Sequence, residues 1–137
     1  MACVSVSAGM DAAQALADLT EISSQIEAAA LFGENGDVAA STFADDEQAR
    51  RFVRGARELL DAAAVLRSSA APNQLEVATA EGSVFVVRGD GRLIAATTTP
   101  EPTVGLVFYD LKSCLRDAAA EEPRKPARRT RQKADDA

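Results

Sequence analysis

The stretch "TAEGSVFVVRGDGRLIAATTT", Thr79 to Thr99, reads as two strands joined by an Asp-Gly turn. Asp-Gly between apolar runs is a strong hairpin signal, because its residues tolerate the left-handed backbone that a tight turn needs. In "VFVV" and "LIAA" consecutive residues are apolar, so both faces of each strand are apolar. A sheet with one wet face would alternate. This sheet is therefore expected to be covered on both faces, with helices on each side. Its strand positions carry neither a general base nor a metal ligand, so the sheet is read as a framework and not as a place of chemistry.

Outward from this hairpin the periodicities change. Residues 74–80 read as a further strand, with Glu81-Gly82 as its turn, so 74–80, 83–88 and 92–98 make an antiparallel meander. Residues 45–68, "DDEQARRFVRGARELLDAAAVLRS", read as a long helix whose acidic first turn suits the positive end of the helix dipole. Its apolar residues, from Ala49 and Phe52 through Val53, Ala56, Leu59, Leu60, Ala63 and Ala64 to Leu66, span an arc of roughly 160°. A single core face needs only about 100°. Pro72 and Asn73 end that segment.

Earlier in the chain, "DAAQALADLTEIS" at 11–23 places Ala12, Ala15, Leu16, Leu19 and Ile22 on one helical face, with Asp11 as the expected cap. Strands at 25–33 and 37–43 flank Asn35-Gly36, for which a type I′ turn is expected. After Pro100 and Pro102, residues 103–121 resume a helical period through Val104, Val107, Phe108, Leu111, Cys114, Leu115 and Ala118. The order is α-β-β-α-β-β-β-α, an α/β (α+β) fold with a five-stranded antiparallel sheet between helical layers. Residues 1–10 are expected to be a flexible N-terminus. Residues 122–137, "EPRKPARRTRQKADDA", hold two prolines and no large apolar residue, and are expected to be a disordered basic tail. One domain, 11–121, remains.

Composition narrows the chemistry. The 137 residues are 47% hydrophobic and 26% charged, as in a globular domain. No apolar run approaches the roughly 18–20 residues of a membrane span. The start "MACVSVSAGM" lacks the basic segment and long apolar run of a secretory signal, so a cytoplasmic protein is expected. Cys3 and Cys114 read as free thiols. The histidine count is zero, which removes Ser-His and Cys-His nucleophile pairs and histidine-based zinc sites. Neither a catalytic residue, a cofactor nor a metal is expected. Residues 123–137 hold six Lys/Arg against two Asp, and residues 1–122 hold nine against nineteen acids. The body is thus −10 and the tail +4 within a net charge of −6.

Together, "LADLTEI", "ALFGENGDVAAST", the small-residue-rich middle helix, "LEVATAEGSVFVV" and "TVGLVFYDLKSCL" resemble the Roadblock/LC7 family, over about residues 11–120. One departure stands out. Many bacterial members carry a Pro-Gly step before the first strand, where this chain reads "SSQIEA". The resemblance implies a profilin-like, non-enzymatic domain that pairs with itself or a related Roadblock protein through the middle helix and third strand. It also implies a Ras-like small GTPase as partner. On that basis the dimer interface is expected at Phe52, Ala56, Leu59, Leu60, Ala63, Leu75, Val77 and Thr79. The residues agree: "QLEVATA" is an edge strand with neither proline nor cover, and such an edge seeks a partner.

Arg50, Arg54, Arg57 and Asp61 are the candidate partner contact. Two readings of them stay open, GTPase contact or a solvated face with i,i+4 pairs such as Glu47–Arg51 and Arg57–Asp61. "RGDGRL" and "GENGDV" read as turns, not as an integrin motif or a phosphate loop. "DDE" at 45–47 reads as a helix cap and not a cation site. The basic tail leaves nucleic acid or an anionic surface open as partners, but it has no aromatic residue for base stacking. The alternative to a GTPase regulator is a sensory or ligand-binding module. That would need a polar-lined pocket, and no convergent polar cluster is visible in the sequence.

Overall fold

Among the described residues three helices and five strands occur in the expected order: α1 (Ala2–Ile22), β1 (Ile26–Gly33), β2 (Val38–Ser41), α2 (Asp46–Leu66), β3 (Gln74–Thr79), β4 (Gly82–Arg88), β5 (Arg92–Thr98) and α3 (Val104–Ala120). The structure, a computed structural model, describes residues 2–66, 73–89 and 91–120, with side chains for 12–66, 73–89 and 91–118. Asp90 of the expected Asp-Gly turn, the end of the middle-helix segment and the basic tail lie outside the described residues. All strand pairs are antiparallel, in the order β2-β1-β5-β4-β3.

The apolar runs of β4 and β5 are covered on both faces. On one side α1 and α3 pack over Leu31, Phe85, Val87, Ile94 and Ala96, with Leu16, Leu19, Val107, Leu111 and Cys114 as their buried contribution. Phe85 meets Phe108 edge-on, ring centroids 5.0 Å apart. On the other side α2 alone packs over Ala30, Phe32, Val86, Leu93 and Ala95, through Val53, Ala56 and Leu60.

Several local expectations are corrected. α1 begins at Ala2 and not at Asp11, so Asp11 is a helix-interior residue and no cap, and residues 2–10 join the helix rather than a separate N-terminus. No proline interrupts "ACVSVSAGM", so nothing in it removes a helical hydrogen bond. In the first hairpin Gly36 N–H donates to Gly33 carbonyl and Gly36 alone takes positive φ, 94°. The turn is therefore not type I′, which would need positive φ at Asn35 as well. Asn35 instead accepts from Asp37 N–H and donates to the Asp37 carboxylate, which holds the bend in another form.

The turn between β3 and β4 is also shifted by one residue. Thr79 pairs with Gly82, so Ala80 and Glu81 are the central pair and Gly82 opens β4. Thr79 Oγ1 closes the turn, donating to Gly82 carbonyl and accepting from Glu81 N–H. Gly82 is required by the neighbouring strand: a Cβ there would stand 2.0 Å from Thr98 carbonyl oxygen, at a φ of +145°. The departure at "SSQIEA" is made without Pro-Gly. Gln25 accepts Thr103 N–H on its side chain and Thr99 N–H on its backbone, tying the start of β1 to the entry of α3.

Candidate interaction surface

Asp45 caps α2: its carboxylate accepts Glu47 N–H and its carbonyl accepts Ala49 N–H. The acidic triplet at 45–47 thus does the work of a helix terminus. Among the described residues no group of three or more Cys, Asp or Glu is arranged to hold a metal ion. No described helix is long and apolar enough to cross a membrane.

The broad apolar arc of α2 divides in two. Ala49, Val53, Ala56 and Leu60 are buried on the sheet. The sequence reading puts Ala56 and Leu60 at the dimer interface, but they are 3% and 4% exposed and belong to the chain's own core. At 3.6 residues per turn these four lie within one narrow stripe, and helical periodicity alone cannot tell a stripe from the arc around it. Phe52, Leu59 and Ala63 are half-buried on the flank, Phe52 with its ring 5.1 Å from Phe43. Along that flank Phe52, Gly55, Leu59, Ala62 and Leu66 follow in steps of three and four residues, the spacing of a helix-pairing seam. Gly55 has no neighbour within 4 Å of where a Cβ would stand, and Leu66 is 83% exposed.

The sheet edge adds to this flank. The two edge strands differ. β2 is four residues long and bulges at Ala39, opposite the step from Leu31 to Phe32 of β1. Shortness and bulges are how edges are usually blunted. β3 has six residues, no proline and an unbroken register with β4. Leu75 and Val77 oppose Val86 and Val84, and Leu75 packs on the α2-side cluster, so Leu75, Val77 and Thr79 point to the face that carries α2. Leu75 and Val77 are half-buried and Thr79 is exposed.

The expected partner cations stand on another side of α2. Arg50 bonds Glu47 at 2.9 Å and Arg51 reaches the same carboxylate at 3.9 Å. Arg57 does not pair with Asp61. Its guanidinium lies over the Gly36 turn, 2.7 Å from where a Gly36 Cβ would stand. Arg54, Arg57 and Asp61 are exposed.

Two further features lie on the α1/α3 side. Between α1 and α3 runs an acidic groove with Asp18, Asp110 and Asp117 at its rim and Cys114 beneath. Burial, then the nearby carboxylates of Asp117 and Asp18, push the Cys114 thiol up to about 12, and desolvation raises Asp110. This thiol is thereby kept protonated and unreactive. The second feature corrects the expectation that no polar cluster converges. At the end of the sheet Arg88, Arg92, Lys112 and Arg116 line one cleft. They are scattered in sequence, and only the β4–β5 turn packing against α3 brings them together.

No protein-family model and no curated protein matches the sequence. Solved structures match the fold. A Roadblock/LC7 domain from Streptomyces avermitilis superposes with a TM-score of 0.66 at 17% identity, over 76% of this chain and 91% of that one. The gliding protein MglB from Thermus thermophilus gives 0.64 at 18% identity, over 84% and 90%. Myxococcus xanthus MglB gives 0.60 at 16%, over 75% and 80%. The chain has the Roadblock/LC7 fold.

Proposed function

We propose that this chain is a non-enzymatic, dimeric regulator or scaffold of a Ras-like small GTPase. The observation that carries the reading is the incomplete α2 side. A helix-pairing seam through Phe52, Gly55, Leu59, Ala62 and Leu66 borders an unblunted edge strand, β3. A second copy can pair its β3 with this one and lay its α2 along the seam, which satisfies the edge hydrogen bonds and covers the half-buried side chains together. In this reading the interface consists of Phe52, Leu59, Ala63, Leu75, Val77 and Thr79. The likeness to Roadblock/LC7 domains and to MglB, one structure of which is described as a tetrameric arrangement, supports self-association of this kind.

The GTPase is assigned to Arg50, Arg54 and Arg57, with Asp61 beside them. They give positive charge to one side of α2 on a body of net −10, where an acidic partner surface would be attracted. The test is the affinity of wild type and of the triple variant Arg50→Glu, Arg54→Glu, Arg57→Glu for GTPases from the same cell, in each nucleotide state and at two salt concentrations. The variant keeps the dimer, because exposed ion pairs contribute only about 0.2–1 kcal/mol each. It loses GTPase affinity through like-charge contact, and wild-type binding weakens with salt. Unchanged affinity in a dimeric variant removes this arginine face from the reading. The sensory-module alternative has one observation in its favour, the four-cation cleft.

A further inference from the structure

Four cations line a cleft of about 480 Å³ where the β4–β5 turn meets α3. Arg88 and Arg92 come from the strands on either side of the turn, and Lys112 and Arg116 from successive turns of α3. Val87 and Leu115, both buried, form an apolar floor. The body of the chain has nine basic side chains among nineteen acids, and four of the nine are gathered here. Helix formation does not ask for this. Lys112 and Arg116 are exposed like charges four residues apart, an arrangement that destabilises a helix slightly.

The two sides of the cleft are held differently. On the strand side Arg88 and Arg92 have contacts of their own within the chain. The Glu34 carboxylate, from the β1–β2 turn, binds Arg88 through both its oxygens, and Arg88 opposes Leu93 of the α2-side cluster, so its guanidinium is held on the face away from α3. A guanidinium has five N–H donors, so Arg92, with contacts of its own, can still donate to a ligand. On the helix side Arg116 donates to Ser113 Oγ at 3.2 Å, a neutral partner that leaves its charge in place. Arg92, Lys112 and Arg116 around one cleft fit a ligand with several negative charges, and arginine forks match phosphate oxygens well. The volume lies in the range of small-molecule sites, roughly 300–1,000 Å³, and polar groups over an apolar floor are their usual make-up.

We propose that this cleft binds a small organic di- or triphosphate, its phosphates held by Arg92, Lys112 and Arg116 and its carbon framework laid on Val87 and Leu115. The site lies on the α1/α3 side, away from the α2 seam, with Asn73 and Gln74 at the start of β3 also in its lining, and it does not depend on a GTPase.

The experiment is isothermal titration calorimetry of the full chain at low ionic strength, with inorganic pyrophosphate and with ADP as separate probes. Four proteins are compared: wild type, Arg116→Ala, the double variant Lys112→Ala with Arg116→Ala, and Arg51→Ala as a control that removes the same charge elsewhere. Both altered α3 positions are exposed, so the fold is retained, as circular dichroism checks. Wild type binds both probes, ADP more tightly because of the floor. The double variant loses about tenfold or more, as expected for lost charge-assisted hydrogen bonds. Arg51→Ala changes affinity by less than about twofold, the scale of a distant screened charge. An absence of heat from either probe at millimolar concentration overturns the proposal. So does equal weakening by Arg51→Ala and Arg116→Ala, or undiminished binding by the double variant. Pyrophosphate bound as tightly as ADP overturns the organic part and leaves free polyphosphate as the ligand.

Discussion

The two faces of the sheet are covered by unequal amounts of helix. Over Phe85, Val87 and Ile94 lie two helices, which bury Leu16, Leu19, Val107, Leu111, Cys114 and Ala118 to within a few per cent of complete. Over Phe32, Val86 and Leu93 lies α2 alone, which buries four residues and leaves Phe52, Leu59 and Ala63 half covered. The contrast continues at the edges, where β2 is short and bulged and β3 is longer and regular. The first face has its sheet residues fully covered within one chain, although Ile22, Leu106 and Tyr109 stand exposed on its helices. The second ends in apolar and backbone groups that a single chain does not satisfy, and this asymmetry is the physical basis for reading it as an interface.

Substitutions on the two faces should therefore fail in different ways. The largest effect is expected from Phe85→Ala, on the two-helix face. Phe85 is fully buried and stacked edge-on with Phe108. Truncation leaves a cavity among side chains that have no room to relax, and costs about 3–5 kcal/mol. Urea unfolding of dilute protein measures this. A loss below about 1 kcal/mol would mean that the two-helix face is loosely packed and the contrast is false.

Next is Leu59→Asp, on the incomplete face. Its side chain is half-buried and stands outside the sheet-facing stripe of Ala49, Val53, Ala56 and Leu60. In the proposed dimer it enters a dry seam, where an unpaired carboxylate is strongly unfavourable. The expected outcome is a folded monomer, seen as a halved mass in light scattering with an unchanged circular dichroism spectrum. Leu60→Asp, one residue on, places the same charge in the chain's own core and unfolds it. A Leu59→Asp protein that remains dimeric removes the seam from the interface.

These two neighbours also mark what the sequence could and could not say. The order of elements and the two-sided cover were legible, because "VFVV" and "LIAA" lack a polar face and the helical segments keep their period over many residues. The edge position of β3 was legible from the meander. The division of the α2 arc was not, since Leu59 and Leu60 are chemically alike and differ only by about 100° around the helix axis. Turn detail was lost for a similar reason. Gly82 reads as a turn residue, yet it is a strand residue demanded by the approach of Thr98 carbonyl oxygen, a contact made 16 positions away. The four-cation cleft left no signal at all, because its members lie on two strands and a helix whose packing no local pattern encodes.

A smaller effect separates the faces by pH. Cys114 lies beneath α1 and α3, and burial together with Asp117 and Asp18 pushes its thiol from the ordinary 9.0 up to about 12. The folded state thus keeps a proton that the unfolded chain releases above about pH 9. Stability from this group is fully present below that value and is lost as the pH rises toward 12. Unfolding midpoints measured from pH 8 to 11 should fall for wild type and fall less for Cys114→Ala, once each is referred to its own midpoint at pH 8. Equal slopes would show that the thiol is not held dry, and that the two-helix face admits water near Cys114.

The smallest effect is expected from deleting residues 123–137. The segment has no large apolar residue, so it brings no apolar burial to either face, and α3 ends at Ala120, before the deletion begins. What the deletion does change is charge. The tail's +4 offsets part of the body's −10. Removing it increases self-repulsion among the remaining carboxylates, an effect that salt screens. This contribution is small at physiological ionic strength, so the melting temperature should change by an amount equivalent to less than about 0.5 kcal/mol, the usual range for surface changes. The dimer should persist, because the α2 seam and the β3 edge are untouched. Salt discriminates the causes. If the loss is electrostatic, it grows at low ionic strength and disappears at high. A large drop in melting temperature that salt does not reverse would mean that the tail packs against the body, and the acidic groove between α1 and α3 would then be the place to look for it.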